Sequence, residues 1–191
     1  MECLPTRLEG PLLIALRVFD DERGFFCETY RQSAFAELGI TEPMVQDNQS
    51  RSSFGVVRGM HFQIGAGVAK LVRCARGAIL DVVVDIRRGS PTFGEWEGFE
   101  LSDENMNAAY CPIGFAHGFV VLSETADVVY KQSGYYAGDT ERGIAYNDPD
   151  VAIDWRVPLA ELKPSPRDAT APLLRDVADE LPFVYAPTGT R

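Results

Sequence analysis

The sequence predicts an all-β protein, an antiparallel jelly roll, and three observations carry that prediction. Short apolar or alternating runs recur along the chain, punctuated by turns such as Arg76-Gly77, Arg88-Gly89-Ser90-Pro91 and Pro112-Ile113-Gly114. There is no βαβ alternation, internal repeat or low-complexity segment. One strand-like stretch, Gln46 to Gln63, carries Arg58 and His61 among apolar neighbours. Such a strand either faces solvent or lines a polar pocket, and a jelly roll offers that pocket in the mouth between its two sheets.

The elements follow in order. Residues 12–18 read as a first strand, 19–24 as a turn with Gly24 free to take an unusual backbone conformation, and 25–30 as a second strand. Residues 33–38 form a short helical patch ending at Gly39. In the stretch 46–63, alternation places Val57, Gly59 and His61 on one face and Val56, Arg58, Met60 and Phe62 on the other. Further strands are expected at 69–74, 78–86, 96–101, 108–111, 116–122 and 127–132. After the turn Asn147-Asp148-Pro149-Asp150 the composition changes. Pro158, Pro164, Pro166, Pro172 and Pro182 make a Pro-rich C-terminal segment from about residue 156, with one helix between Pro172 and Leu181 and an irregular tail. The whole chain, 1–191, reads as a single domain.

Composition narrows the function classes. A hydrophobic content of 46% with 24% charged residues is that of a globular protein, and no apolar run of 18 residues predicts a membrane span. No secretory signal is visible, so the expected location is cytoplasmic. The formal net charge of -10 argues against binding a nucleic-acid backbone. It leaves room for a small phosphorylated ligand held by a local cluster of cations. The cysteines at 3, 27, 74 and 111 show no C-x-x-C spacing, as expected of small buried residues in a reducing compartment.

Chemistry has few candidates. The only two histidines, His61 and His117, both lie among Gly and aromatic residues. Each is either a core histidine satisfied by a neighbour or a group facing the cavity. There is no H-x-H, and position 63 is Gln, so neither metal binding nor a metal-dependent cupin oxygenase is expected. No G-x-S-x-G or activated cysteine points to nucleophilic catalysis. Proton transfer remains: a neutral His as base, a carboxylate to orient it, a Tyr hydroxyl as acid and a Lys to steady an enolate. His61, Asp168, Tyr130 and Lys70 could supply these roles. Periodicity alone does not bring them together.

The segments F-D-D-E-R-G-F-F-C-E (19–28), Q-D-N-Q-S-R-S (46–52), G-V-V-R-G-M-H-F-Q (55–63), A-K-L-V-R (69–73), D-V-V-V-D-I-R-R-G-S-P-T-F-G (81–94), P-I-G-F-A-H-G-F-V-V-L (112–122), V-Y-K-Q-S-G-Y-Y (129–136), N-D-P (147–149) and D-A-T-A-P-L-L (168–174) resemble the dTDP-4-dehydrorhamnose 3,5-epimerase family. The resemblance implies a cupin-type jelly roll, a homodimer, and a reaction that uses no metal or other cofactor. It implies epimerisation of a dTDP-linked 4-keto-6-deoxyhexose at C3 and/or C5. His61 would be the base oriented by Asp168, Tyr130 the opposing acid, and Lys70 the partner of the C4 oxygen, with His117 and Asp81 beside them. Arg58 would hold the diphosphate, and Gln46, Asn48 and Tyr135 the nucleotide. Phe19, Arg23 and Glu28 would reach across from the partner subunit; as a purely local alternative, Arg23 and Glu28 form a cross-strand ion pair. The sequence departs from the family pattern in the small, apolar loop at 64–69 and at Gln49, Met60 and Ile113. These departures fit an enzyme of a secondary deoxysugar pathway, and relatives of that kind can invert a single centre. A non-catalytic sugar-nucleotide-binding jelly roll would be expected to lack His61, Tyr130 or Lys70, and all three are present.

Overall fold

The structure is a computed structural model that describes residues 1–186; the end of the C-terminal tail lies outside the described residues. In chain order its strands are β1 (Glu2–Leu4), β2 (Leu12–Ala15), β3 (Val18–Asp21), β4 (Gly24–Cys27), β5 (Gln46–Ser53), β6 (Val57–Gln63), β7 (Lys70–Arg76), β8 (Ala78–Asp85), β9 (Trp96–Ser102), β10 (Asn107–Cys111), β11 (Phe115–Val121), β12 (Thr125–Gln132) and β13 (Glu141–Gly143). The helices are α1 (Gln32–Glu37) and α2 (Leu174–Val177). One sheet runs β1-β2-β10-β7-β12-β5 and a second β13-β6-β11-β8-β9, with every pairing antiparallel. This is the predicted jelly roll.

Alternation along the strands sorts side chains into three apolar layers. On β8 and β11, Ile79, Val83, Phe115, Phe119 and Val121 point between the sheets, where they meet Val72, Cys74 and Val128. Leu80, Val82, Val84, Ala116 and Val120 point outward beneath the C-terminal segment. That segment is pinned by Trp155, only 1% exposed, whose indole N–H donates to the Tyr146 carbonyl at 2.8 Å. Truncating such a residue costs about 3–5 kcal/mol. The outer face of the first sheet, with Ile14 of β2, is covered by Phe35 of α1 and by Ile40.

Two expectations need correction. The stretch 46–63 is not one strand: it breaks at Phe54-Gly55 into β5 and β6, which belong to different sheets. Residues 19–24 are not simply a turn. Positions 18–27 form an exposed two-stranded hairpin that pairs Phe19 with Phe26 and Asp21 with Gly24. The described part of the tail after Pro182 is irregular, as expected, apart from one parallel bridge between Val184 and Arg88, and its Phe183 is buried.

Faces along β6 also differ from simple alternation. Val57, Met60 and Phe62 pack outward under the C-terminal segment, while Arg58 and His61 both reach the cavity between the sheets. The cause is a bulge. His61 pairs with His117 and Arg58 with Phe119, so Gly59 and Met60 together oppose Gly118 alone. The extra residue reverses the parity. Glycine is needed on both sides of the bulge: a Cβ on Gly59 would lie 2.5 Å from the Gly118 Cα, and one on Gly118 would lie 2.7 Å from the Arg58 carbonyl oxygen. Gly59 also has φ +124, a region that side chains disfavour.

Candidate active site

A cavity of about 450 Å³ opens between the sheets, lined by Ser50, Arg58, His61, Lys70, His117 and Tyr130, with Asp168 at its wall. The two sheets contribute different chemistry. The sheet containing β6 and β11 supplies Arg58, His61 and His117; the facing sheet supplies Lys70 on β7, Tyr130 on β12 and Ser50 on β5.

His61 Nε2 lies 2.7 Å from Asp168 Oδ1. Asp168 arrives from the Pro-rich segment on a short 3-10 turn, Asp168–Thr170, whose first N–H donates to Ser165 Oγ at 3.1 Å. The carboxyl is buried. Burial by itself raises its pKa, but the contacts with His61, Ser165 and the Gly59 N–H outweigh that effect and hold it below the ordinary carboxylate value. Asp168 is therefore the ionised acceptor and His61 Nε2–H the donor. That assignment leaves Nδ1 with a free lone pair.

The second histidine has a similar partner in a different setting. His117 Nε2 lies 2.8 Å from Asp81 Oδ1, both side chains are buried, and the other oxygen, Asp81 Oδ2, has no hydrogen-bond partner among the described residues. Burial lowers the His117 pKa against the opposing pull of Asp81, which favours a neutral ring.

Across the cavity, burial lowers the Lys70 pKa, while Cys111, Glu141 and Asp81 pull it back up. Burial raises the Tyr130 pKa, with Glu141 adding to the rise, so the phenol keeps its proton. Arg58 donates from Nε to Ser52 Oγ at 3.1 Å, which orients its guanidinium at the cavity. A chain of net charge -10 thus presents Arg58 and Lys70 together on one pocket. Among the described residues no three His, Cys, Asp or Glu side chains converge as metal ligands would.

The structure brings His61, Asp168, Lys70, Tyr130, Arg58 and His117 together, with Asp81 directly behind His117. Gln46 and Asn48 lie on β5 two and one alternations beyond Ser50 and are joined by a 2.9 Å hydrogen bond. They extend the same strand face outward rather than lining the cavity. Tyr135 is 75% exposed and outside it, whereas its neighbour Tyr136 joins Tyr130 in lining the pocket. Phe19, Arg23 and Glu28 lie away from the cavity in this chain. Arg23 and Glu28 do not pair with each other: Arg23 bonds Asp21, and Glu28 bonds Arg31 at 3.0 Å.

Sequence reasoning passed over Glu141, Arg167 and Tyr136. Arg167 pairs with Glu141, and the Tyr136 hydroxyl donates to Glu141 at 3.3 Å. Arg167 could have been found from its position directly before Asp168. Glu141 sits beyond a turn, on a short edge strand, and carries no local signal.

The family model for dTDP-4-dehydrorhamnose 3,5-epimerase matches residues 5–176. A dTDP-4-dehydrorhamnose 3,5-epimerase of Pseudomonas aeruginosa is 52% identical over 160 residues, covering 82% of this chain and 88% of the relative. The crystal structure of a dTDP-6-deoxy-D-glucose-3,5-epimerase from Legionella pneumophila, in complex with dTDP-4-keto-L-rhamnose, superposes with a TM-score of 0.93 at 45% identity, covering 97% of this chain and 99% of that one. A 4-keto-6-deoxy sugar epimerase from the novobiocin gene cluster of Streptomyces spheroides superposes with a TM-score of 0.90 at 43% identity, covering 96% and 93% of the two chains. The match spans both sheets and extends through Asp168, the residue that completes the His61 pair, and on that basis the chain belongs to the dTDP-4-dehydrorhamnose 3,5-epimerase family.

Proposed function

We infer that this protein is an isomerase that epimerises a dTDP-linked 4-keto-6-deoxyhexose at C3 and/or C5. The observation that carries the reading is the placement of a carboxylate-oriented imidazole on one sheet opposite a protonated phenol and a half-buried lysine on the other. Protons at C3 and C5 are both α to the C4 ketone, so one base can act on either through an enolate. His61 Nδ1 removes the proton, and Asp168 stabilises the imidazolium through the Nε2–H. Lys70 donates to the C4 oxygen as negative charge develops there, with His117 and Asp81 walling that end of the pocket. Tyr130 returns a proton to the opposite face of the carbon, which inverts the centre. Arg58 holds the diphosphate and fixes the sugar between the two groups.

Gln46 and Asn48 extend the pocket towards the nucleotide, with Tyr136 in the role first expected of Tyr135. The protein works as a homodimer in the cytoplasm. Phe19, Arg23 and Glu28 complete the partner's site, a role supported by the exposure of Phe19, Phe25 and Phe26 at 48%, 61% and 68%. The four free cysteines agree with a reducing compartment. Light scattering of wild type and of a Phe25→Ser/Phe26→Ser variant tests the dimer; a wild-type monomer at working concentration overturns it.

NMR of dTDP-4-keto-6-deoxyglucose with the enzyme in deuterated water tests the reaction. The expected result is deuterium at C3 and/or C5 with inversion at the labelled carbon. No exchange at either carbon rejects the reading.

A further inference from the structure

Beside the main cavity, and sharing walls with it, lies a second, smaller space. A recess of about 80 Å³ is lined by His61, Lys70, Tyr130, Tyr136 and Glu141, with Val68 among its walls. It has room for a few water molecules, which need about 30 Å³ each in the liquid. The recess touches both groups that the reaction leaves in the wrong protonation state. After one inversion His61 carries an extra proton and Tyr130 has lost one. Neither can act again until that proton is moved, and the sugar occupies the direct path between them.

We propose that this recess holds a water relay that returns the proton from His61 to Tyr130 around the bound sugar, with Glu141 ordering the waters. The balance closes. The imidazolium loses the Nδ1–H proton, one proton passes along the waters, and the phenolate is reprotonated with no co-reactant. The direction is downhill, because a tyrosine phenolate is a stronger base than imidazole by roughly a thousandfold or more. Burial and Glu141 strengthen the phenolate further. His61 Nδ1 is the ring nitrogen available to the relay, since Nε2 is held by Asp168. Glu141 is well placed: its side chain is 14% exposed and fixed by Arg167 and Tyr136, and it borders both the recess and the main cavity. Its negative charge favours a proton in transit. Glu141 is thus a positioning residue that acts through water. The apolar loop at 64–69 contributes Val68 as an apolar wall of the recess.

The proposal rests on the epimerase reading. Its test uses the full chain with dTDP-4-keto-6-deoxyglucose, comparing the first turnover after rapid mixing with steady-state turnover. Val68→Leu narrows the recess without touching the reacting groups. It is expected to leave the first turnover within twofold of wild type and slow steady-state turnover tenfold or more, with singly inverted sugar accumulating if two centres are inverted. Glu141→Gln is expected to slow steady-state turnover similarly, and Glu141→Asp to recover most of it. A merely structural defect would slow the first turnover of Val68→Leu as well. Steady-state rates within twofold of wild type in Val68→Leu, or in Glu141→Gln if the leucine variant does not fold, overturn the relay. If wild type exchanges neither C3 nor C5, the epimerase reading fails instead.

Discussion

The protein contains two histidine–aspartate pairs that look alike at the hydrogen bond and differ in everything around it. His61 and Asp168 are 2.7 Å apart, and His117 and Asp81 are 2.8 Å apart, each through Nε2. The His61 side chain is 24% exposed on a cavity, whereas His117 is 7% exposed with its aspartate fully buried. Asp168 also receives the Gly59 N–H with its second oxygen, at 3.5 Å, while the second oxygen of Asp81 has no partner among the described residues. The difference teaches that a His–Asp hydrogen bond does not by itself make a base. The working pair needs an open Nδ1 edge and an aspartate that stays ionised. The buried pair has a ring that burial holds neutral, which suits it to shaping the pocket beneath Lys70.

Exchanging the two pairs' properties is the sharpest way to break this contrast. His61→Ala should lower solvent deuterium exchange at C3 and C5 by on the order of 10³-fold or more, read by NMR. Retained exchange at both carbons would remove His61 as the base. Asp168→Asn should lower turnover by a comparable factor, because an asparagine amide can donate to Nε2 and so place the ring proton on Nδ1. Tyr130→Phe should slow inversion more than exchange; equal loss of both would mean that Tyr130 is not a separate acid. His117→Gln should cost roughly tenfold or less in exchange and about 1–3 kcal/mol in stability, because it leaves a buried carboxyl poorly paired.

The smallest effect concerns pH. The folded His117 pKa lies below its ordinary value of about 6.5, so on acidification the unfolded chain takes up that proton before the folded one does. Stability should therefore fall as pH drops through about 6.5 towards the lower folded value. Asp168 behaves differently. Its folded pKa is depressed, so its contribution is present above its unfolded value of about 3.9 and is lost only as pH falls below that. Melting temperatures of His117→Gln should be flatter than wild type between about pH 6.5 and 5 and should still drop below about pH 4. An unchanged slope in the upper window would show that His117 is not held neutral by the fold.

Much of this was legible in the sequence, but unevenly. Strands such as 78–86 and 116–122 were readable because β8 and β11 are long, paired on both sides and buried on both faces, so they read as nearly continuous apolar runs bounded by turns. The hairpin at 18–27 was read only in part, because its exposed aromatics give no inside-outside pattern. Motifs identified His61, Lys70, Tyr130 and Asp168 as a set, whereas spacing alone left them unconnected. Tyr136 was passed over because adjacent tyrosines after a strand are equivalent until the turn direction is known. Glu141 was missed because its position depends on how an edge strand docks against Gln63.

The sequence by itself determined the polar and apolar alternation, the two histidines without an H-x-H, and the glycines at 59 and 118 that permit close backbone approach. Those are local properties, fixed by residue type and period. Only the tertiary structure decided that Arg58 and His61 share a cavity. Their odd spacing forbids it in a regular strand, and the bulge that permits it exists only against Gly118 on the neighbouring strand. It likewise decided that Asp168, 107 residues from His61 in the chain, supplies its carboxylate. Alternation reports which way a side chain points along one strand. Which distant group it meets depends on the register and packing of strands that local sequence does not encode.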